Sequence, residues 1–230
     1  MFSSPLFIYL ATVIPPIILG IIIWKSDKFP EPNKVIYKVF YWGCLICVPA
    51  YFLNTWLFTL WWQETRVSEA IISSFLTAAL VEEGLKFSVL YFLVYRLKEF
   101  NEPMDAIVYG VTVSLGFATL ENIYYVFHKN VSDAMIVAIL RAFTAIPGHA
   151  MDGVIMGYFF GRYVFVNKNK LFYAFLFPYL LHSIYNFLTF SETLLPVFTI
   201  VFFGWFIALY LLNIQKKLQQ KKTKEYQKKK

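Results

Sequence analysis

Ala79-Leu80-Val81-Glu82-Glu83-Gly84-Leu85-Lys86-Phe87 sets three ionisable residues in the middle of an apolar run covering about residues 71–95. That run is long enough to cross a bilayer, which takes about 20 helical residues. A charge at the centre of a membrane helix costs about 2.5–3.5 kcal/mol on insertion scales. Glu82, Glu83 and Lys86 therefore need partners, a proton, or water in a cavity. On a helix turning about 100° per residue, Lys86 lies about 40° round from Glu82 and about 60° from Glu83. The lysine thus falls between the carboxylates, about one turn along. Ala78 and Ala79, a turn earlier, leave space above the cluster. A plain anchor needs none of this, so the stretch reads as functional, against the plainer reading of a buried structural ion cluster.

The remainder of the 230 residues supports a membrane setting. The chain is 59% hydrophobic, against about 45–50% for a soluble domain, and its mean hydropathy is +0.57. The fold class expected is all-α: a polytopic transmembrane bundle of about seven spans, near 6–24, 36–62, 70–95, 104–127, 134–161, 171–190 and 193–214. The domain reading is a seven-helix unit over 1–214 followed by a basic tail over 215–230. The first span lacks a basic leader and a small-residue cleavage site, so it is not read as a signal peptide. Cys44 and Cys47 form a C-x-x-C inside an apolar run with no histidine near, and read as small membrane-helix hydrophobes.

Cytoplasmic loops accumulate Lys and Arg. Loops after spans one, three, five and seven hold 17 of these residues, and the opposite side holds only Arg66 and Lys129. The amino terminus is therefore expected outside and the carboxyl terminus in the cytoplasm. Trp24, Trp61 and Trp62 fall at span ends, where interfacial aromatics belong. The tail, with eight lysines and one glutamate over 216–230, reads as a solvated segment near anionic lipid rather than a nucleic-acid binder.

Further polar residues interrupt spans four to six. The fourth carries Gly116-Phe117-Ala118-Thr119-Leu120-Glu121-Asn122. The fifth carries Arg141, a Pro147-Gly148 break, then His149-Ala150-Met151-Asp152-Gly153. Gly153, Gly157 and Gly161 form a small-residue stripe that lets helices approach closely. The sixth span has His182 and Asn186 one turn apart. At 1.5 Å per residue, Glu82 lies about 17 Å and Glu121 about 10 Å below the outer surface. His182 and His149 come to a similar level in a core about 30 Å thick. Glu82, Glu83, Glu121, His149, His182 and Asn186 are therefore expected in one layer. Arg141, at the depth of Glu121, is its expected counter-ion. Lys86, Asn122 and Asp152 are expected in supporting roles.

Two glutamates, two histidines and an amide suit hydrolysis by activated water: a carboxylate takes the water proton, and a histidine or amide holds the oxyanion. A zinc version is open, with His149, His182 and a glutamate such as Glu121 as three N/O ligands and a fourth position for water. No H-E-x-x-H spacing supports zinc, and no cofactor is otherwise implied.

At these residues the chain resembles the PrsW family of polytopic intramembrane peptidases, relatives of the CAAX prenyl protease and bacteriocin-processing superfamily. The resemblance rests on Glu82-Glu83-Gly84-Leu85-Lys86, on Gly116 to Asn122, on His149 with Gly153-Val154-Ile155-Met156-Gly157, and on Leu180-Leu181-His182. It runs through spans three to six in order. It implies a multi-pass bacterial cell-membrane protease that makes the first cut in a membrane-anchored anti-sigma factor, with Glu82, Glu83, Glu121 and His182 essential. In the wider superfamily the second motif often carries histidine where this chain has Glu121. The last motif is His followed four later by Asn or Asp, here Asn186, which as an amide suits an oxyanion role rather than that of a base. Two rival classes stay open: a non-catalytic scaffold of the same superfamily, and a proton-coupled carrier, which would usually show inverted repeats that this chain lacks.

The charge bias makes a direct prediction. A reporter fused after Lys230 reads cytoplasmic, and one inserted between Gln63 and Glu69 reads external. Two external readings would contradict the seven-span order and the depths drawn from it.

Overall fold

The computed structural model describes residues 5–61, 64–128, 130–190 and 193–228. Trp62 and Lys129 lie outside them. Among the described residues there is no strand, and six helical stretches are long and apolar enough to cross a membrane. They are α1 (Pro5–Lys25), α2 (Asn33–Thr59), α5 (Pro103–Phe127), α6 (Val131–Phe143) with α7 (Ala145–Phe165), α8 (Leu171–Thr189) and α9 (Leu194–Lys228). The remaining expected crossing is a polar helical rod of α3 (Arg66–Ile71), a π-helical segment Ile72–Ala78, and α4 (Ala79–Phe92). It carries Glu82, Glu83 and Lys86.

Helix α5 is the axis. Of its most apolar window 83% is buried, against 22% for α1, α2, α8 and α9, which leave their outer faces to lipid. A helix apolar all round belongs inside a bundle. Its start is fixed by Pro103 in the first turn and by Asp105 Oδ2, which accepts the backbone N–H groups of Asn101 and Glu102 at 2.8 Å. Small residues let its neighbours approach. A Cβ at Gly157 of α7 would lie 2.2 Å from Ala106 O, and one at Gly153 would lie 2.7 Å from Val111 Cα. Gly116 of α5 stands the same way against Phe40 O of α2, at 2.2 Å. The stripe expected to be packing is packing.

Two features differ from the expected helices. The fifth span is two helices that meet at Thr144, with φ −124° and ψ −71°, rather than one helix broken at Pro147-Gly148. Proline lacks an N–H, and its ring clashes with the carbonyl four residues back. The distortion therefore falls upstream of Pro147, and hydrogen bonding resumes with Gly148 N donating to Thr144 O at 2.9 Å. The second feature is the π-helical segment before α4. Its wider turn places Ser73, Ser74 and Ala78 in the wall of a cavity beside the charged residues. Single π turns inside α-helices frequently accompany functional sites.

Helix α9 has 35 residues, about 52 Å, and runs well past a bilayer core. Gln215 and Gln219, in the stretch first read as a solvated tail, are buried. Gln219 Nε2 donates to Asp27 Oδ1 at 2.7 Å and also reaches Glu102, tying α9 to the α1–α2 loop and the start of α5.

Gly157→Val should force α5 and α7 apart, at the ~1–3 kcal/mol or more typical of overpacking. Gly148→Ala on the same helix meets no atom within 4 Å and should leave the melting temperature in detergent unchanged or raised. Equal melting temperatures for the two variants would contradict this packing.

Candidate active site

The polar rod, α5, α7 and α8 bring their ionisable side chains to one place, as the matched depths required. Lys86 Nζ donates to Glu83 Oε1 at 2.6 Å, and both side chains are fully buried. It also donates to His149 Nδ1, at 3.0 Å. A lysine ammonium only donates. His149 therefore accepts at Nδ1, carries its proton on Nε2, and donates from there to Glu121 Oε2 at 3.0 Å. Arg141 Nη2 donates to the same Glu121 oxygen at 2.5 Å, which makes Arg141 the counter-ion expected from its depth. Arg141 also lies over the Tyr125 ring, 4.3 Å from its centroid. Asn122 braces this corner, accepting from Arg141 Nε at 2.6 Å and donating to Thr12 O of α1 at 2.9 Å.

The two adjacent glutamates are not equivalent. Glu83 Oε1, ion-paired with Lys86, also accepts from His182 Nδ1 at 2.7 Å. That bond turns His182 Nε2 toward Glu82 Oε2, 3.7 Å away. Lys86 sits over the Phe117 ring at 4.6 Å, and the two histidine rings meet edge to face at 5.2 Å. The lysine, expected between the two carboxylates, is hydrogen-bonded to Glu83 alone. Glu82 instead accepts from Asn54 Nδ2 of α2 at 3.3 Å, and its Oε2 has no hydrogen-bond partner although it is buried.

Glu82 forms part of the wall of two spaces. An inner cavity of about 250 Å³ is lined by Glu82, Glu121, Arg141, His149, His182 and Asn186 among others. An outer groove of about 530 Å³, between α2 and α5, is lined by Cys47, Tyr51, Asn54, Phe117 and Tyr124 and reaches Glu82 and Glu121. The two spaces share Glu82, Glu121 and Tyr125. Asn186 is half-buried in the inner cavity wall. Asp152, one turn beyond His149, is buried with Oδ1 unpartnered, and no hydrogen bond joins it to the network. Asn54 escaped the sequence reading, although an amide among Tyr51, Phe52, Leu53, Trp56 and Leu57 is itself a signal.

The donors suit a divalent ion. Glu82, Glu121 and His149 each present a ligand atom, all within 4.8 Å of one another, and Glu83, His149 and His182 do the same. The orphaned Glu82 Oε2 is the kind of buried atom a ligand satisfies. His182 is anchored at Nδ1 by a carboxylate, as metal-ligating imidazoles usually are.

Residues 31–212 match the sequence profile described as PrsW family intramembrane metalloprotease. The chain belongs to the PrsW family. It is 35% identical over 213 residues to Protease PrsW of Geobacillus kaustophilus, covering 89% of this chain and 85% of that protein. It is 36% identical over 208 residues to Protease PrsW of Oceanobacillus iheyensis, covering 88% and 93%. Against Protease PrsW of Bacillus subtilis the identity is 34% over 206 residues, covering 85% and 90%. No solved structure matches. PrsW membership makes this a multi-pass bacterial membrane protein and a membrane peptidase.

The Glu121–Arg141 pair offers a structural check. Glu121→Arg and Arg141→Glu should each lower the melting temperature, because each leaves like charges buried together. The double exchange should restore part of the loss. If the double variant is no more stable than the worse single one, the pairing is wrong.

Proposed function

We propose that this PrsW protein hydrolyses a peptide bond of a membrane-anchored protein at the wall shared by the groove and the inner cavity, in the outer half of the bilayer. The single observation that carries this is Glu82: a buried carboxylate with one oxygen unpartnered, facing both spaces, beside an oriented imidazole. Glu82 takes the proton of the attacking water and later delivers it to the leaving amine. His182, locked by Glu83 at Nδ1, keeps Nε2 directed toward Glu82 and the cavity from which the water attacks. Arg141 and Lys86 hold Glu121, His149 and Glu83 in fixed orientations, so that little reorganisation accompanies the developing charge. Asn186, in the cavity wall, donates to the oxyanion from its side-chain amide.

A zinc ion held by Glu121 and His149 beside Glu82, with the His149 ring proton moved from Nε2 to Nδ1, would polarise the scissile carbonyl and acidify the water that Glu82 deprotonates. The family description as metalloprotease and the donor set support that assignment. The loop charges support an external amino terminus and, with it, a site in the outer half of the membrane. That position suits a single-pass substrate with an extracytoplasmic domain, and an anti-sigma factor receiving its first cut is the substrate we assign.

The test is proteolysis in liposomes, using the purified protein and a panel of single-pass anti-sigma factors from its own host. At least one should be cut at its membrane-proximal region. Ortho-phenanthroline should abolish the cut and added zinc should restore it. No cleavage across the panel would contradict the substrate assignment, and cleavage indifferent to the chelator would contradict zinc.

A further inference from the structure

Asn54 is a half-buried amide in a lipid-facing helix, and its surroundings do not account for it. Its Nδ2 makes one bond, to Glu82 Oε1 at 3.3 Å, while its Oδ1 is enclosed without any partner. An unsatisfied buried carbonyl is destabilising, and an apolar residue of similar shape suits such a position better. The neighbouring wall is apolar or aromatic: Val48, Tyr51, Phe52 and Phe117 line the same groove. A residue that works against stability, beside a glutamate that faces both spaces with an unpartnered oxygen, calls for a functional reason.

We propose that Asn54 is a positioning residue for hydrolysis: its amide N–H holds Glu82 Oε1 at the groove side, so that Oε2 is presented to the cavity and His182. This rests on the peptidase reading of Glu82. The geometry behind it is complementary. Glu83 on the same helix has Oε1 held by two donors, Lys86 and His182, and although its Oε2 is unpartnered too, Glu83 lines neither the groove nor the cavity. Glu82 has Lys86 hydrogen-bonded elsewhere and takes no bond from Arg141, which is committed to Glu121 and Asn122. Among the described residues, Asn54 supplies the one hydrogen bond to the Glu82 carboxylate. Without it, the carboxylate is free to rotate between groove and cavity. Misplacing a catalytic group by about 1 Å costs on the order of 100-fold in rate.

The test uses the full-length protein in liposomes, with a panel substrate that the parent cleaves, and the variants Asn54→Leu, Asn54→Asp and Asn54→Gln. Leu and Asp both remove the donor, so kcat should fall about 10- to 100-fold with KM within about twofold. Gln keeps a donor on a longer arm and should recover part of kcat. Thermal unfolding separates this from a structural role, since Asn54→Leu should melt at or above the parent temperature. A Leu variant that loses stability in step with activity would overturn the proposal, and so would one with parental kcat. A loss confined to KM would place Asn54 on the substrate instead and overturn it too. If the parent cleaves no panel member, the substrate assignment has failed, and the variants are compared on whichever single-pass protein the parent does cut, where parental kcat for Asn54→Leu overturns the proposal.

Discussion

The fully buried Lys86–Glu83 pair is the interaction on which the rest of the structure depends. Neither charge is tolerable in a membrane interior alone, and losing one partner of a buried pair typically costs about 3–5 kcal/mol. Once paired at 2.6 Å, the two still have hydrogen-bonding capacity to satisfy. Lys86 spends it on His149 of α7, and Glu83 on His182 of α8. His149 passes the chain to Glu121 and Arg141, and Asn122 closes it against α1. One local ion pair thus sets the rotation of four helices about their axes. Apolar spans hold helices in a bilayer but do little to choose their register, and here the polar chain does that.

The glycine contacts make this network reachable. Lys86 meets His149 only because α7 lies tight against α5 through Gly153 and Gly157, leaving the polar rod, α7 and α8 around one space. The kink at Thr144 and the π-helical segment act at the edges of that space. One ends α6 where Arg141 meets Glu121, and the other opens a wall of small residues beside Glu82. Van der Waals packing builds the frame, and electrostatics decides what the frame presents.

Much of this was legible in the residues. The spans could be read from hydropathy, and the cost of buried charge made Glu82, Glu83, Lys86, Glu121 and Arg141 stand out. Depth counting was enough to pair Glu121 with Arg141, because rise per residue is nearly constant in helices. Three features were not legible. Helical wheels put Lys86 between the two glutamates, and only the approach of α8 with His182 commits Glu83 and leaves Glu82 facing the cavities. The π-helical turn has no sequence marker, since Ile72 to Ala78 reads as ordinary helix. Asn54 went unread because its partner is 28 residues away on another helix, and a single amide in an apolar span has many innocent explanations.

The central claim is that Glu82 and Glu83, adjacent in sequence, have separate duties: one turned to water and substrate, the other committed to structure. It is tested most directly by purifying Glu82→Gln and Glu83→Gln and measuring both unfolding and hydrolysis. The account predicts that Glu82→Gln unfolds close to the parent temperature and loses at least about 100-fold in rate, the scale of general-base loss. It predicts that Glu83→Gln unfolds markedly earlier, because Lys86 is left buried without its anion. Two variants that hydrolyse at the parental rate, or the opposite pairing of stability and activity, would contradict it.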